Sequence, residues 1–257
     1  PLGSPGQGMK LAMTEVYEVA TFYHHFDIVK EGETAPPALT VRVCDGITCE
    51  MMGAASLLEE LVTRYGAGTD VRIVHAPCVG ACDRAPVALV GQRQIHFAEA
   101  ARVADAADAG DTSADLPDYI NLDAYRADGG YVIWNACWNG KRDRDDVINA
   151  IDQSGLRGLG GAGFPTARKW GFLEGTPKPR LIAINADEGE PGTFKDRHCF
   201  ETDPHRVLEG ILIAAWAVEA EAVYIYLRDE YPQCRDLLLT EIARLESEDM
   251  TGGISLH

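Results

Sequence analysis

Hydrophobic and polar positions repeat with two different periods along this chain, and each period predicts one kind of element. Apolar runs and period-two alternation predict strands, and they cover 39–43, 71–75, 181–184 and 223–227. Apolar stripes at a spacing of three and four predict helices, and they cover 11–26, 51–65, 143–154, 205–218 and 231–245. Because strands and helices alternate, the pattern indicates an α/β fold, and we expect the strands at 181–184 and 223–227 to be buried.

The predicted elements form two groups with a stretch of poor periodicity between them. Residues 104–130 are rich in Ala, Asp and Gly, and their apolar spacing fails after about residue 109. The expected division is a helical segment at 1–30, a first domain at 31–108, a linker at 109–142 and a second domain at 143–257. Residues 1–8 have the composition of a coil, and the sequence assigns no role to residues 131–140.

Composition and charge narrow the choice of partners. A chain of 257 residues with 46% hydrophobic residues is long enough for two cores. A formal net charge of −17 argues against nucleic acid or an anionic membrane as partner. The most apolar long window, 207–227, is interrupted by three glutamates, so no membrane span is predicted. The seven cysteines and the lack of an export signal favour a cytoplasmic protein without disulfides.

A glycine-rich stretch precedes one of the predicted helices. GLRGLGGAGFPTARKW has five glycines between residues 155 and 163, so its backbone can approach a flat or phosphorylated ligand closely. Pro165 and Thr166 suit a first helical turn, and Lys169 lies about one turn further on. The arrangement favours an anion-binding loop, although glycine runs also occur in ordinary turns.

An acidic turn follows the strand predicted at 181–184. Asp187, Glu188 and Glu190 stand where the strand ends, and carboxylates at the carboxyl end of a buried strand often face a ligand. A solvated acidic turn is the alternative, because the neighbouring glycines and proline are turn formers.

Two cysteine pairs follow the first two predicted strands. Cys44 and Cys49 have the spacing C-x4-C, and Cys78 and Cys82 have the spacing C-x3-C. Four thiolates are enough to hold a 2Fe-2S cluster. A structural zinc site and unrelated buried thiols are the alternatives, and spacings longer than C-x2-C argue against zinc and against a thiol-redox motif.

The other cysteines and the histidines show no ligand spacing. We interpret the remaining cysteines as structural thiols, and they are Cys137, Cys199 and Cys234. His24 and His25 adjoin the first predicted helix, and neither belongs to a pattern of metal ligands.

The glycine-rich and acidic stretches resemble the FMN-binding region of the flavin subunit of respiratory complex I. Its relatives are the diaphorase subunits of NAD-dependent formate dehydrogenases and NAD-reducing hydrogenases. The likeness is nearly continuous over 155–239, including DPHRVLEGILIAA and VYIYLRDEYP. Over 14–103, including APCVGACDRAPV, the chain resembles the thioredoxin-like 2Fe-2S domain of the same complexes. Both modules on one chain resemble a fused diaphorase subunit, most of all the beta subunit of NAD-dependent formate dehydrogenase.

The resemblance implies an α/β fold in which a thioredoxin-like 2Fe-2S ferredoxin domain precedes the N-terminal part of a complex I-type FMN-binding α/β domain. It implies that the four cysteines named above hold the 2Fe-2S cluster. The residues similar to the family's FMN contacts are Gly158, Gly160, Gly161, Lys169, Asn185, Asp187 and Glu188. Those similar to its contacts with the nicotinamide dinucleotide are Phe164, Phe172 and Glu190.

The function that the resemblance implies is NAD(H)-linked electron transfer. FMN would exchange a hydride with NAD(H) and single electrons with iron–sulfur clusters, without a catalytic acid or base from the protein. Formate oxidation would belong to a partner subunit with a metal cofactor and further iron–sulfur clusters. A diaphorase subunit of an NAD-reducing hydrogenase or of complex I is the alternative, and a cofactor-free structural module is the second. The 4Fe-4S site of the family is expected only in a C-terminal part beyond these 257 residues.

Overall fold

The chain forms two compact units in this computed structural model, which describes residues 8–23, 26–66 and 70–257. The first unit comprises residues 1–114 with 190–193, and the second comprises 115–189 with 194–257. Each unit has a hydrophobic core of its own. His24, His25 and nearly all of the coil predicted at 1–8 lie outside the described residues.

The first unit is built on a mixed sheet of four strands in the order β2-β1-β3-β4. β1 and β2 are parallel, while β3 is antiparallel to both β1 and β4. Its elements are α1 (Met13–Phe22), β1 (Leu39–Cys44), α2 (Ile47–Met51), α3 (Ala54–Tyr65), β2 (Val71–Ala76), a 3₁₀ turn (Cys82–Arg84), β3 (Ala88–Val90), β4 (Arg93–Ile95) and α4 (Ala100–Ala109). The helix predicted at 51–65 is confirmed from Ala54, because Gly53 is left-handed with φ 97° and separates α3 from α2.

The second unit is built on a parallel sheet in the order β5-β6-β7. Its elements are α5 (Leu122–Ala127), α6 (Val132–Trp138), α7 (Arg144–Gln153), α8 (Thr166–Gly171), β5 (Leu181–Ala186), α9 (Lys195–Thr202), α10 (Pro204–Ala217), β6 (Ala222–Leu227), α11 (Pro232–Ser247) and β7 (Ser255–Leu256). Strands and helices alternate here as predicted. Buried residues of α10 and α11 join Val223 and Leu256 in the core.

The sheet of the second unit is exposed on one face, so the prediction of two fully buried strands is wrong. Burial alternates along β5 and β6, and Leu181, Tyr224 and Tyr226 are exposed. The alternation was hidden because the exposed positions carry apolar and aromatic residues, which resemble those of a buried strand.

The linker expected at 109–142 is also wrong, because most of it folds with the second unit. α5 and α6 lie within it, and Leu122, Tyr125, Tyr131 and Trp134 belong to the second core. These helices have six and seven residues, too few to show a helical period in the sequence. The large aromatic side chains of Tyr125, Tyr131 and Trp134 are buried in this core, which the composition of the stretch did not predict.

None of the seven cysteines, which all lie within the described residues, forms a disulfide. Cys137 and Cys234 are buried, as expected for structural thiols, whereas Cys199 is exposed and does not fit that interpretation. Within the described ranges, none of the helices combines the length and apolar character needed to cross a membrane.

Candidate functional site

The four cysteines with ligand spacing meet at one edge of the first sheet. β1 and β2 are parallel neighbours, and Cys44 pairs with Ala76 at their last residues. The Asp45 N–H donates to the Ala76 carbonyl at 2.9 Å, which holds the two strand ends together. α2 then carries Cys49, and the 3₁₀ turn begins at Cys82.

The thiols contact one another. The sulfurs of Cys78 and Cys82 are 3.5 Å apart, and Cys44 hydrogen-bonds with the thiols of Cys49 and Cys78. The hydrogen bond between Cys44 and Cys49 raises the pKa of Cys44 and lowers that of Cys49, and the hydrogen bond with Cys44 raises the pKa of Cys78. Since metal ligation requires thiolates, loading this site would release protons.

The donor set fits a 2Fe-2S cluster. Such a cluster is held by four cysteine thiolates, two on each iron. Among the residues that the structure describes, no group of three or more His, Cys, Asp or Glu side chains is arranged to hold a single metal ion.

Backbone groups lie against the sulfurs. Gly46 hydrogen-bonds Cys44, and Gly80 hydrogen-bonds Cys78. Donors of this kind stabilise thiolate charge and tune the reduction potential of a cluster. A Cβ atom on Gly46 would lie 3.2 Å from the Cβ of Cys78 and 3.4 Å from the sulfur of Cys44, so a larger residue would require one of these cysteines to shift by a few tenths of an ångström.

In the second unit, the glycine-rich stretch is a loop closed at its base by hydrogen bonds. The Gly158 N–H donates to the Phe164 carbonyl at 2.9 Å, and the Thr166 N–H donates to the Leu156 carbonyl at 3.0 Å. Arg157 and Pro165 form an isolated antiparallel bridge. The residues between these contacts project as a loop in front of α8.

The tip of this loop offers open space and backbone donors. A Cβ atom on Gly160 or Gly161 would meet nothing within 4 Å, and Gly161 has φ 101°. In the part of the chain that the structure describes, the N–H groups of these two glycines have no protein acceptor. Exposed N–H groups on a glycine loop can bind phosphate oxygens. Lys169 is exposed, about one turn into the following helix.

The two aromatic residues of the predicted dinucleotide site stand together. The ring centroids of Phe164 and Phe172 are 5.8 Å apart at an interplanar angle of 44°, and both rings are partly exposed. The guanidinium carbon of Arg168 lies 5.6 Å from the centroid of the Phe164 ring. The sequence analysis missed Arg168, whose position four residues after Phe164 and four before Phe172 was the available signal.

The acidic turn begins at the carboxyl end of β5. Asn185 and Asp187 are exposed, and the Asp187 N–H donates to the Asn185 Oδ1 at 3.0 Å. Glu190 is exposed as well, and its carbonyl accepts the Thr193 hydroxyl at 2.6 Å. The side chains of Asn185 and Asp187 are therefore accessible to a ligand, and their role as flavin contacts stays a prediction.

Glu188 is placed differently, because it is buried with 3% of its surface exposed. Its carboxylate accepts the N–H of Asp196 at 3.1 Å and the N–H of Arg197 at 3.4 Å, at the start of α9. The Tyr231 hydroxyl donates to it at 3.2 Å. These contacts favour a structural role for the side chain, so a direct bond from Glu188 to FMN stays a prediction.

Arg228 is a further residue that the sequence analysis missed. It is 8% exposed, follows β6 directly, and donates from Nη1 to the carbonyl of Glu188. The available signal was a charged residue directly after an apolar strand, beside another strand that ends in a predicted site.

Two family models match the chain in the order of these units. Residues 6–109 match the thioredoxin-like 2Fe-2S ferredoxin model, and residues 151–256 match the Nuo51 FMN-binding domain model. The chain is a thioredoxin-like 2Fe-2S ferredoxin domain followed by a Nuo51 FMN-binding domain. The predicted fold class is thus confirmed, and the matches support a 2Fe-2S cluster, FMN and NAD as the cofactors.

Relatives of the Nuo51 domain are found in several organisms. The chain is 44% identical over 135 residues to the F 2 subunit of NADH-quinone oxidoreductase in Rhizobium meliloti (strain 1021), covering 52% of this chain and 30% of that protein. It is 43% identical over 139 residues to the F subunit of NADH-quinone oxidoreductase in Aquifex aeolicus (strain VF5), covering 54% of this chain and 32% of that protein. The chain therefore spans about a third of the length of these curated relatives.

A solved structure resembles both domains. It is an NAD+-reducing NiFe-hydrogenase in the air-oxidized state, which superposes with a TM-score of 0.78 at 28% sequence identity. The match covers 99% of this chain and 47% of that chain. The order of ferredoxin domain and Nuo51 domain therefore has a counterpart in a known structure.

Proposed function

We propose that this chain is the part of a diaphorase subunit that exchanges electrons between NAD(H), FMN and a 2Fe-2S cluster within a multi-subunit oxidoreductase. The observation that carries the proposal is the presence of both matched domains on one chain, with the four cysteines together and the glycine loop open. The relatives named as NADH-quinone oxidoreductase subunits and as an NAD+-reducing hydrogenase support it.

In the Nuo51 domain the side chains would bind and orient rather than react. The amides of Gly160 and Gly161 and the ammonium of Lys169 suit the phosphate of FMN, since all are exposed donors at one loop and helix. Asn185 and Asp187 suit hydroxyl groups or water. FMN, when bound, supplies the step between two-electron nicotinamide chemistry and one-electron acceptors.

For the dinucleotide we propose Phe164, Phe172 and Glu190 as contacts. The two rings are partly exposed and close enough to offer a flat apolar surface, which suits a planar nucleotide base. Glu190 carries an exposed carboxylate that can accept hydrogen bonds from ribose or amide groups.

In the ferredoxin domain we propose Cys44, Cys49, Cys78 and Cys82 as the cluster ligands. Three of them are buried, and a protein shell of this kind restricts solvent access and so affects the reduction potential. The backbone donors at Gly46 and Gly80 would set the charge that the cluster prefers.

As the partner, we propose a formate-oxidising subunit with a metal cofactor and further iron–sulfur clusters. The support is the likeness of the quoted segments to formate dehydrogenase beta subunits. A hydrogenase is the second candidate, because the solved relative that covers nearly the whole chain is an NAD+-reducing hydrogenase. Complex I is the third, because the curated relatives are NADH-quinone oxidoreductase subunits.

The test uses the native complex purified through the full-length subunit. Reduction of NAD+ is measured with formate and with hydrogen as donors, and oxidation of NADH is measured with ferricyanide and with a quinone as acceptors. Formate-dependent reduction is the expected result. Hydrogen-dependent reduction or quinone-dependent oxidation would replace the partner, and a complex that does not oxidise NADH with any acceptor would overturn the diaphorase proposal.

A further inference from the structure

We propose that Arg228 is a positioning residue of the flavin site, which fixes the turn carrying Asp187 and Glu188 without itself touching the flavin. This inference rests on the proposed function of the Nuo51 domain. It concerns how the predicted flavin contacts are held in place, and it assigns Glu188 to the same supporting structure.

The position of Arg228 follows from the sheet. β5 and β6 are parallel, and Ala186 pairs with Leu227 at their last residues. Residues directly after these strands therefore leave the sheet at the same edge. Arg228 uses this proximity, because its Nη1 donates to the main-chain carbonyl of Glu188.

The guanidinium is itself held on two other sides. Its Nε donates to the Glu230 carboxylate at 3.0 Å, and its central carbon lies 5.2 Å from the centroid of the Tyr231 ring. The planar guanidinium can donate hydrogen bonds in two directions at once while it stacks on an aromatic ring, which a lysine ammonium cannot do. With only 8% of its surface exposed, Arg228 has little freedom to move.

The Glu188 side chain makes a second set of contacts that fixes the same turn. The Tyr231 hydroxyl, which is fully buried, donates to this carboxylate at 3.2 Å. Burial and the charge of Glu188 raise the pKa of Tyr231, so the hydroxyl keeps its proton and remains a donor. At the start of α9, the N–H groups of Asp196 and Arg197 also donate to this carboxylate, and the Lys195 ammonium lies 3.6 Å from it.

The contacts of Arg228 and Tyr231 with Glu188 restrict the backbone that carries the accessible side chains of Asn185 and Asp187. Asp187 lies between Glu188 and the strand, and its N–H is bonded to Asn185. Movement of the turn would separate buried charged groups from their partners, and a buried charge left unpaired is costly. Arg228 and Tyr231 thus set where Asn185 and Asp187 can meet a ligand.

The experiment compares Arg228→Met, Arg228→Lys and Tyr231→Phe in the intact complex with the full-length subunit. The dissociation constant of FMN is measured by removing the flavin and titrating it back, with flavin fluorescence as the signal. Loss of a charged hydrogen bond predicts a weakening of about 10- to 100-fold for Arg228→Met. Arg228→Lys keeps the positive charge but loses the planar set of N–H donors. FMN binding is therefore expected to weaken by about 3- to 10-fold, as for Tyr231→Phe.

Controls separate positioning from general instability. Arg142→Met removes an exposed arginine of the same unit and is expected to bind FMN like the wild type. The 2Fe-2S content and the unfolding temperature are measured for every variant, and the midpoint potential of the flavin is expected to shift only in the Arg228 and Tyr231 variants. If Arg228→Met does not assemble, Arg228→Lys and Tyr231→Phe decide the question.

The inference is overturned if assembled Arg228 and Tyr231 variants bind FMN within about twofold of the wild type and keep its flavin potential, even if their unfolding temperature falls. A wild-type complex that contains no FMN is a different result, because it refutes the proposed function and removes the basis of this inference with it.

Discussion

Gly46 shows at the scale of a single residue how the proposed cluster site constrains the sequence. Its φ is −59°, a value that any residue can adopt, so the backbone does not require glycine here. The requirement is space, because an added Cβ would lie 3.2 Å from the Cβ of Cys78. Both atoms lie in segments that carry the proposed cluster ligands, so a shift that relieves this contact would also move a sulfur.

Replacement of Gly46 by Ala is therefore expected to lower the cluster content of the ferredoxin domain severalfold while the domain still folds. Iron and acid-labile sulfide are quantified, and the visible spectrum is recorded, for the full-length subunit. Gly210→Ala is the matched control, since a Cβ there meets nothing within 4 Å and alanine stabilises a helix interior by about 0.5–1 kcal/mol. Wild-type iron and sulfide in the Gly46 variant would contradict this account of the site.

Single residues also mark the limit of prediction from sequence. The spacing of the four cysteines predicts a cluster site, because four thiols on two loops restrict the chemistry strongly, and the structure brings these thiols together. Glu188 was grouped with Asp187 because neighbours in a turn look alike in a sequence. Its burial depends on Tyr231 and on the start of α9, and no local pattern reports contacts with residues so distant in the chain.

At the scale of an element, α6 explains the stretch 131–140, to which the sequence analysis assigned no role. The Glu209 carboxylate accepts the Tyr131 N–H at 2.9 Å and the Trp134 N–H at 3.2 Å, so it satisfies amides at the start of this helix. The Tyr125 hydroxyl donates to the same carboxylate at 2.7 Å. Glu209, a buried residue of α10, thus contacts both α5 and the start of α6.

Replacement of Glu209 by Gln is expected to lower the free energy of unfolding of the second unit by about 1–3 kcal/mol. The side-chain NH₂ group of glutamine would face the N–H and O–H groups that now donate to the Glu209 carboxylate. Urea unfolding of the full-length subunit measures the change, with Glu221→Gln as an exposed control. Equal stability of the two variants would show that Glu209 does not fix the helix.

His205 links Tyr131, the residue before α6, to α11 in the same core. Its Nδ1 lies 2.9 Å from the Tyr131 hydroxyl and its Nε2 lies 2.9 Å from the Glu241 carboxylate, while the Tyr125 ring stacks beside it. Burial lowers the pKa of His205 and Arg244 adds to this effect, whereas the charges of Glu241 and Asp203 oppose it. The net effect is a lowered pKa of His205, because the effect of burial is the largest.

Stability of the second unit is therefore expected to fall as the pH falls below about 6.5, the ordinary pKa of histidine. In that range the unfolded chain binds a proton that the folded chain does not, so acid favours unfolding. The unfolding temperature of the full-length subunit is measured between about pH 7 and pH 5. His205→Gln should reduce the slope, and the exposed control His198→Gln should not. Parallel slopes in the wild type and His205→Gln would contradict the assignment.

Element prediction succeeded for most elements long enough to show a period, although α4, with ten residues, was not predicted. The long helices α3, α10 and α11 and the strands β1, β2, β5 and β6 all appear where their patterns indicated. The three-residue strands β3 and β4 and the two-residue strand β7 were not predicted. Such short strands carry no measurable period, and they form because a neighbouring strand offers hydrogen bonds.

At the scale of the whole molecule, the chain forms two units with two cores, as its length and composition predicted. Family models match both units in the predicted order. The two predicted sites concern NAD(H), FMN and a cluster, so a partner that reacts with formate, hydrogen or quinone is proposed from family likeness rather than from the residues of this chain.

The most direct test of the account is an anaerobic ultraviolet–visible spectrum of the intact complex, recorded before and after addition of NADH, with FMN and iron quantified on the same sample. The account predicts that NADH bleaches both the flavin band and the iron–sulfur band, because in the proposed function electrons pass from NADH to FMN and on to iron–sulfur centres. A complex that contains FMN and iron but whose spectrum NADH leaves unchanged would contradict it, as would a complex that lacks both chromophores.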